Sequence, residues 1–199
     1  MRRFFLIIIC LLLLSGFAHA QDTQTTKQVF SPDFNWRLTI PDGFESLTAE
    51  QFAKLQQRGT DALEKSSGSK IENNTKKICS FKNGTANYFE ANGQPFDAAT
   101  DGDYLTTCRG VNDLLYRTFK EQVPKGTQID TTFAKEVVAG LQFERFEMKI
   151  KLGPAATLTM LMYSRLFEKK EFTATIAYVE KEKGDLILAA WRNSKFANQ

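Results

Sequence analysis

Histidine occurs once in the 199 residues, at His19, and cysteine three times, at Cys10, Cys79 and Cys108. Both scarcities deepen once the first twenty residues are read. Arg2 and Arg3 precede an unbroken apolar run from Phe4 to Leu14, followed by Ser15, Gly16 and the small-x-small triplet Ala18-His19-Ala20. That layout predicts a secretory signal peptide over 1–20, cut between Ala20 and Gln21. Without residues 1–20 the chain has 179 residues, no histidine, two cysteines, and 24 basic against 23 acidic residues. A chain without histidine builds neither a Ser-His-Asp nor a Cys-His site and lacks the commonest metal ligand. Two cysteines are too few for a thiolate-only zinc site. A net charge near zero sets up no field for nucleic acid or anionic lipid. No later apolar run approaches the ~18–20 residues that cross a bilayer. Neither a phosphate-binding loop nor a glycine-rich dinucleotide turn occurs. The product is therefore expected to be periplasmic or secreted, without a membrane span after cleavage, without a cofactor and not an enzyme.

Export places Cys79 and Cys108 where disulfides persist, and they lie 29 positions apart. One intramolecular bond between them is the favoured reading. Two buried free thiols acting as small hydrophobes is the alternative.

Residues 21–29 are polar and read as a flexible lead-in to a single domain over 30–199. Within it, Trp36 to Ile40 alternates apolar and polar side chains, the period of a half-buried strand. Thr48 followed by Gln51 is a capping box, and Phe52, Leu55, Gly59 and Leu63 continue at helical spacing to about residue 65. Lys77–Phe81 and Asn87–Ala91 flank Asn83-Gly84, a strong hairpin signal. Asn92 to Asp103 reads as a turn-rich loop. Its Asp97, Asp101 and Asp103 suit helix N-termini better than calcium, for which the EF-hand spacing and closing Glu are missing. Tyr104, Cys108, Val111, Leu115 and Phe119 form one helical stripe that turns Cys108 inward, and Pro124 and Gly126 stop the helix.

From Thr127 onward strands dominate. Ile129–Ala134, two runs within 141–151, Thr157–Leu166 and Phe172–Val179 are joined by short links, which implies an antiparallel meander. The runs around Phe143 and Phe146 are out of phase, as a β-bulge across Arg145-Phe146 requires. Asp185 is the expected cap of a last helix carrying Leu186, Ile187, Ala190, Trp191 and Ser194 on one face. The order strand, helix, hairpin, helix, meander, helix indicates an α+β fold. Apolar residues on both faces of the strands require cover on both faces, hence an antiparallel sheet flanked by helices.

Four stretches resemble the Mog1/PsbP-like superfamily. Phe34 to Phe44 is similar to its opening strand, Val137-Val138-Ala139-Gly140-Leu141 to the small-residue turn before the meander, Glu171–Val179 to the penultimate strand, and Trp191–Phe196 to the closing helix end. Lys195 stands where the family frequently has Phe. The resemblance implies a small α/β/α sandwich and an accessory or binding role. It carries over no functional residue by position.

The function expected is that of an exported, non-enzymatic binding or accessory module with a protein partner in the cell envelope. A carboxylate-based hydrolase, drawing on Asp97, Asp101 and Asp103 or on Glu144 and Glu147, is one alternative. A small apolar-ligand carrier, its pocket lined by Trp36, Phe143, Phe146, Tyr163, Phe172 and Trp191, is the other.

Overall fold

The computed structural model describes residues 28–71 and 74–197. The expected leader and its Ala20/Gln21 cleavage point lie outside them. The first described element is strand β1 (Gln28–Ser31), so the last two residues assigned to the lead-in belong to the sheet. A 3₁₀ turn, Pro32–Phe34, leads to β2 (Trp36–Thr39). Then follow β3 (Glu45–Ser46), helix α1 (Ala49–Ser67), β4 (Lys76–Asn83), β5 (Asn87–Pro95), the short helix α2 (Ala98–Asp101) and α3 (Tyr104–Gln122). The second half is β6 (Ile129–Val138), β7 (Leu141–Lys151), β8 (Thr157–Phe167), β9 (Lys170–Tyr178), α4 (Lys181–Arg192) and β10 (Lys195–Phe196).

A seven-stranded sheet runs in the order β3-β4-β5-β9-β8-β7-β6, with every neighbouring pair antiparallel. A three-stranded sheet, β1-β2-β10, joins the first described strand to the last. The large sheet is covered on both sides. On one face Leu63 of α1 and Val111, Leu115 and Phe119 of α3 pack on Phe146, Met148, Met160 and Met162. On the other, Trp36, Leu38 and the α4 residues Ile187 and Trp191 pack on Phe81, Phe89, Phe143, Tyr163 and Phe172. The α+β sandwich expected from the sequence is the architecture observed.

Local signals hold where they are local. Thr48 and Gln51 exchange both bonds of the capping box (Gln51 N to Thr48 Oγ1 3.2 Å; Thr48 N to Gln51 Oε1 3.0 Å). The α3 stripe buries Val111, Leu115 and Phe119 as spaced. Three readings change. The β7 register runs without a shift against both neighbours, so no bulge lies at Arg145-Phe146. Phe143 and Phe146 are both buried because each points to a different covered face. The irregularity sits in β4, between Lys77 and Cys79. Residues 92–95 are strand rather than loop. Helix α4 begins at Lys181, and Asp185 lies inside it, 2.6 Å from Lys181 Nζ. The helix start is instead held from 93 positions away: Asn87 Nδ2 donates to Glu180 Oε1 (2.8 Å) and Asn87 Oδ1 accepts from Glu180 N (3.2 Å).

The expected Cys79–Cys108 disulfide is corrected: both thiols are free. Cys79 belongs to the cluster under α4, whereas Cys108 sits on α3 beside Phe146 and Met162 of the opposite face. The sheet separates them, and a disulfide spans only ~4–7 Å between Cα atoms. A bond closing that loop would make a reductant lower the melting temperature by roughly 10 °C. The observed placement predicts the same melting temperature with and without reductant, and two titratable thiols, Cys79 and Cys108, in the denatured, unreduced chain prepared without residues 1–20.

Candidate functional site

Two kinds of feature stand out: a polar seam inside the molecule and a pair of recesses at one end of the sheet. The seam follows from strand parity. Glu90, Asn92 and Gln94 alternate along β5 and lie opposite Thr175, Thr173 and Glu171 of β9, on the face toward α1 and α3. All but Gln94 are buried. Glu90 accepts hydrogen bonds from Tyr88 Oη and Asn92 Nδ2. Glu171 accepts from Gln94 Nε2 (2.6 Å) and Tyr104 Oη (3.0 Å), with Cys108 Sγ at 3.9 Å. Burial dominates their titration, because a charge in this interior loses its hydration. It pushes both Glu90 and Glu171 up to about 7. Burial, with the Glu171 charge adding, pushes Cys108 up to about 12. Burial thus favours the protonated, uncharged forms of the Glu171 carboxyl and the Cys108 thiol, the opposite of the lowered value that marks an activated thiolate.

The carboxylates picked out in the sequence are engaged elsewhere. Asp97 Oδ1 accepts from Ala99 N (3.1 Å) at the start of α2, and Asp103 Oδ1 from Thr106 N (2.9 Å) at the start of α3. Asp101 Oδ2 accepts from Asp97 N (2.7 Å). Glu144 and Glu147 point to opposite faces: Glu144 pairs with Lys135 (3.3 Å), Glu147 with Arg145 and with Lys149 (2.7 Å). The aromatics suggested for a carrier pocket are buried core residues: Trp36 meets Phe172 edge-on (5.1 Å) and Tyr163 is tilted on Trp191 (5.2 Å). Phe146 borders a cavity of 80 Å³ between α3 and β6.

The recesses were not legible in the sequence. One, of 340 Å³, opens between the β1 end and the strands β4 and β5; Phe30, Phe34, Ile78 and Pro95 form its apolar wall. Phe34 lies so close to Gly93 that a Cβ there would come within 2.6 Å of the ring, which is why glycine stands at that strand position. The second recess, of 730 Å³, is bordered by Arg165, Phe167, Glu168 and Lys169 around the β8–β9 turn. Asp33 and Lys170 line both, and their ion pair (2.7 Å) is the ridge between them. Lys170 bonding to the Asp33 carboxylate, aided by Lys76, holds that carboxyl below its usual range. Five basic residues (Lys76, Lys77, Arg165, Lys169, Lys170) against two acidic ones (Asp33, Glu168) border the pair of recesses. The local balance is basic in a chain that is nearly neutral.

No protein-family model matches this chain, and no curated protein does. Among solved structures, the cyanobacterial PsbP protein (CyanoP) of Synechocystis sp. PCC 6803 superimposes with a TM-score of 0.50 at 10% identity, over 88% of this chain and 96% of that one. The fold is like that of PsbP. LpqN, a Mycobacterium tuberculosis protein involved in cell envelope biogenesis, matches at TM-score 0.45 and 11% identity over 81% of this chain and 82% of that one. Among the described residues no helix is long and apolar enough to cross a membrane.

The seam makes a pH prediction. Raised carboxyls stabilise the fold when protonated, so their contribution is complete below about pH 4.5 and is lost as pH rises through about 7. Glu171→Gln and Glu90→Gln keep the shape without the ionisation. Each is expected to leave stability unchanged at pH 4.5 and to raise the melting temperature at pH 8 by roughly 5 °C or more. Thermal melts of the three proteins from pH 4.5 to 8 measure this.

Proposed function

We propose that the chain is an exported, non-enzymatic binding or accessory module that acts in the periplasm or outside the cell, and that it holds a protein partner of the envelope in the twin recess at the Asp33–Lys170 ridge. The observation that carries this reading is the recess itself. It combines an apolar wall, Phe30, Phe34, Ile78 and Pro95, with a lysine rim. Lys77 is committed to the Phe52 ring (4.4 Å) and Lys170 to Asp33. Lys76 and Lys169 remain to meet an acidic group. An extended partner segment with one apolar anchor and an adjacent carboxylate satisfies both halves. The leader expected on residues 1–20 and the absence of histidine after it support the same reading from the sequence side.

A small apolar-ligand carrier is the second reading, favoured by one number: 340 Å³ is at the lower end of the range of ligand pockets, ~300–1,000 Å³. The two readings separate experimentally. Lys76→Glu with Lys169→Glu reverses the rim and leaves the core untouched. In crosslinking from native envelopes, a partner of the accessory module is expected to be recovered roughly tenfold less by the double variant than by the unaltered chain. Equal recovery by both removes the recess from partner binding, and a small molecule retained in native mass spectra of the purified protein selects the carrier.

A further inference from the structure

Among the described residues the large sheet ends on one side in the two-residue strand β3 and on the other in β6, ten residues long with no described strand beyond it. Which of its backbone groups face outward follows from the ladder. Lys151 N donates to Gln128 O (3.0 Å) just before β6, where residues 128 and 151 face each other. At the other end Ala139 (φ 51) and Gly140 (φ 81) make a two-residue turn of the I′ kind. Bonded pairs alternate along an antiparallel ladder. The even-numbered residues Asp130 to Val138 therefore bond to β7, and the N–H and C=O groups of Ile129, Thr131, Phe133, Lys135 and Val137 point away from the sheet. Their side chains lie on the α3 face, where the Phe133 ring meets Phe146 at 5.1 Å. Phe133 and Val137 are 53% and 65% exposed, among the largest apolar exposures in the described chain. Edge strands of this length are usually shortened, bulged or covered; β6 is ten residues long and pairs with β7 without a register shift.

We propose that β6 pairs antiparallel with β6 of a second copy of this chain, across a two-fold axis at Ala134. Charge and apolar matching select that register. An axis at Phe133 sets Asp130 opposite Glu136 of the other copy on one face. An axis at Lys135 sets the two Lys135 ammonium groups against each other. Like charges directly opposite destabilise a pair of strands. The axis at Ala134 avoids both. It sets Phe133 opposite Lys135, Thr131 opposite Val137 and Thr132 opposite Glu136. Each Phe133 then has the other Phe133 and Val137 as diagonal neighbours, within reach of an aromatic side chain, and a lysine stem across its face. Glu136 enters the pairing already neutralised, bound by Arg192 Nε (2.8 Å) and Tyr163 Oη (3.0 Å). The outward groups of Thr131, Phe133, Lys135 and Val137 form about eight intermolecular backbone bonds, and the two seven-stranded sheets become one. The contact is isologous and closes on itself. It is independent of what fills the recess.

Sedimentation of the purified chain across a concentration series is expected to show a monomer–dimer equilibrium. Lys135→Pro removes an outward N–H and no intrachain backbone bond, its one intrachain loss being the half-exposed Lys135–Glu144 ion pair, so it is expected to weaken the dimer at least tenfold while the monomer keeps its circular dichroism. Ala134→Cys is expected to form a disulfide-linked dimer on mild oxidation, because residues 134 face each other across the axis. Thr132→Cys is expected not to, because its own counterpart is four residues out of register. A chain that stays monomeric to millimolar concentration overturns the proposal, as does a Lys135→Pro dimer of unchanged affinity. Should Lys135→Pro fail to fold, the cysteine pair decides: equal crosslinking at 132 and 134, or none at 134, also overturns it.

Discussion

The structure depends on keeping both faces of one sheet out of water, and the harder face is closed by the two ends of the described chain. Trp36 enters from the first hairpin and Trp191 and Phe196 from the last helix and strand; their rings meet Phe172 and Phe143 at 5.1–6.0 Å. One hydrogen bond fixes the arrangement: the Trp36 indole donates to Ser194 Oγ at 2.9 Å, across 158 positions. Asn35, in a left-handed conformation, adds its amide to Ala197 O (2.8 Å) and accepts from Ala197 N (2.9 Å). A buried indole N–H usually finds a partner; Ser194 supplies that of Trp36 from the turn that releases β10, whereas the Trp191 N–H has none among the described residues.

The opposite face solves a different problem. Its β7–β8 half is apolar and takes α3 in the ordinary way, whereas its β5–β9 half carries Glu90, Asn92, Thr173 and Glu171. Such residues survive burial only when hydrogen-bonded. Glu90 and Glu171 each have two donors, and the loss of hydration is met by keeping the proton to about pH 7. Gln94 links this interior to the surface, since it holds Glu171 and also lines the 340 Å³ recess. The recess and the seam are thus neighbours through one amide side chain.

What was legible in the sequence was what short-range chemistry writes. The capping box at Thr48, the α3 stripe and the Asn83-Gly84 hairpin need only their own neighbours, and the sandwich followed from apolar residues on both strand faces. The errors share a cause. Phe143 and Phe146 suggested a bulge only on the assumption that one face is buried. Asn92 and Gln94 read as loop because polar residues were taken as exposed, yet Asn92 serves Glu90 and Gln94 serves Glu171. Asp185 looked like a cap because the true anchor, Asn87, is in another hairpin. The cysteines looked like partners because sequence separation says nothing about which side of a sheet each occupies. The twin recess was invisible for the same reason: Asp33 and Lys170 are 137 positions apart.

The β1-β2-β10 sheet has a consequence for the order of events in folding. A chain is made and threaded from its N-terminus, but β2 is an interior strand of that small sheet only when Lys195 and Phe196 arrive opposite Arg37 and Trp36. Until then one side of the large sheet has lost part of its aromatic lid. Contacts of such sequence separation slow folding, because the loop entropy must be spent before they form. Completion is therefore a late event that joins the two ends of the described chain, and loss of Lys195 and Phe196 leaves β2 with β1 alone as its neighbour and Trp36 without the Phe196 ring.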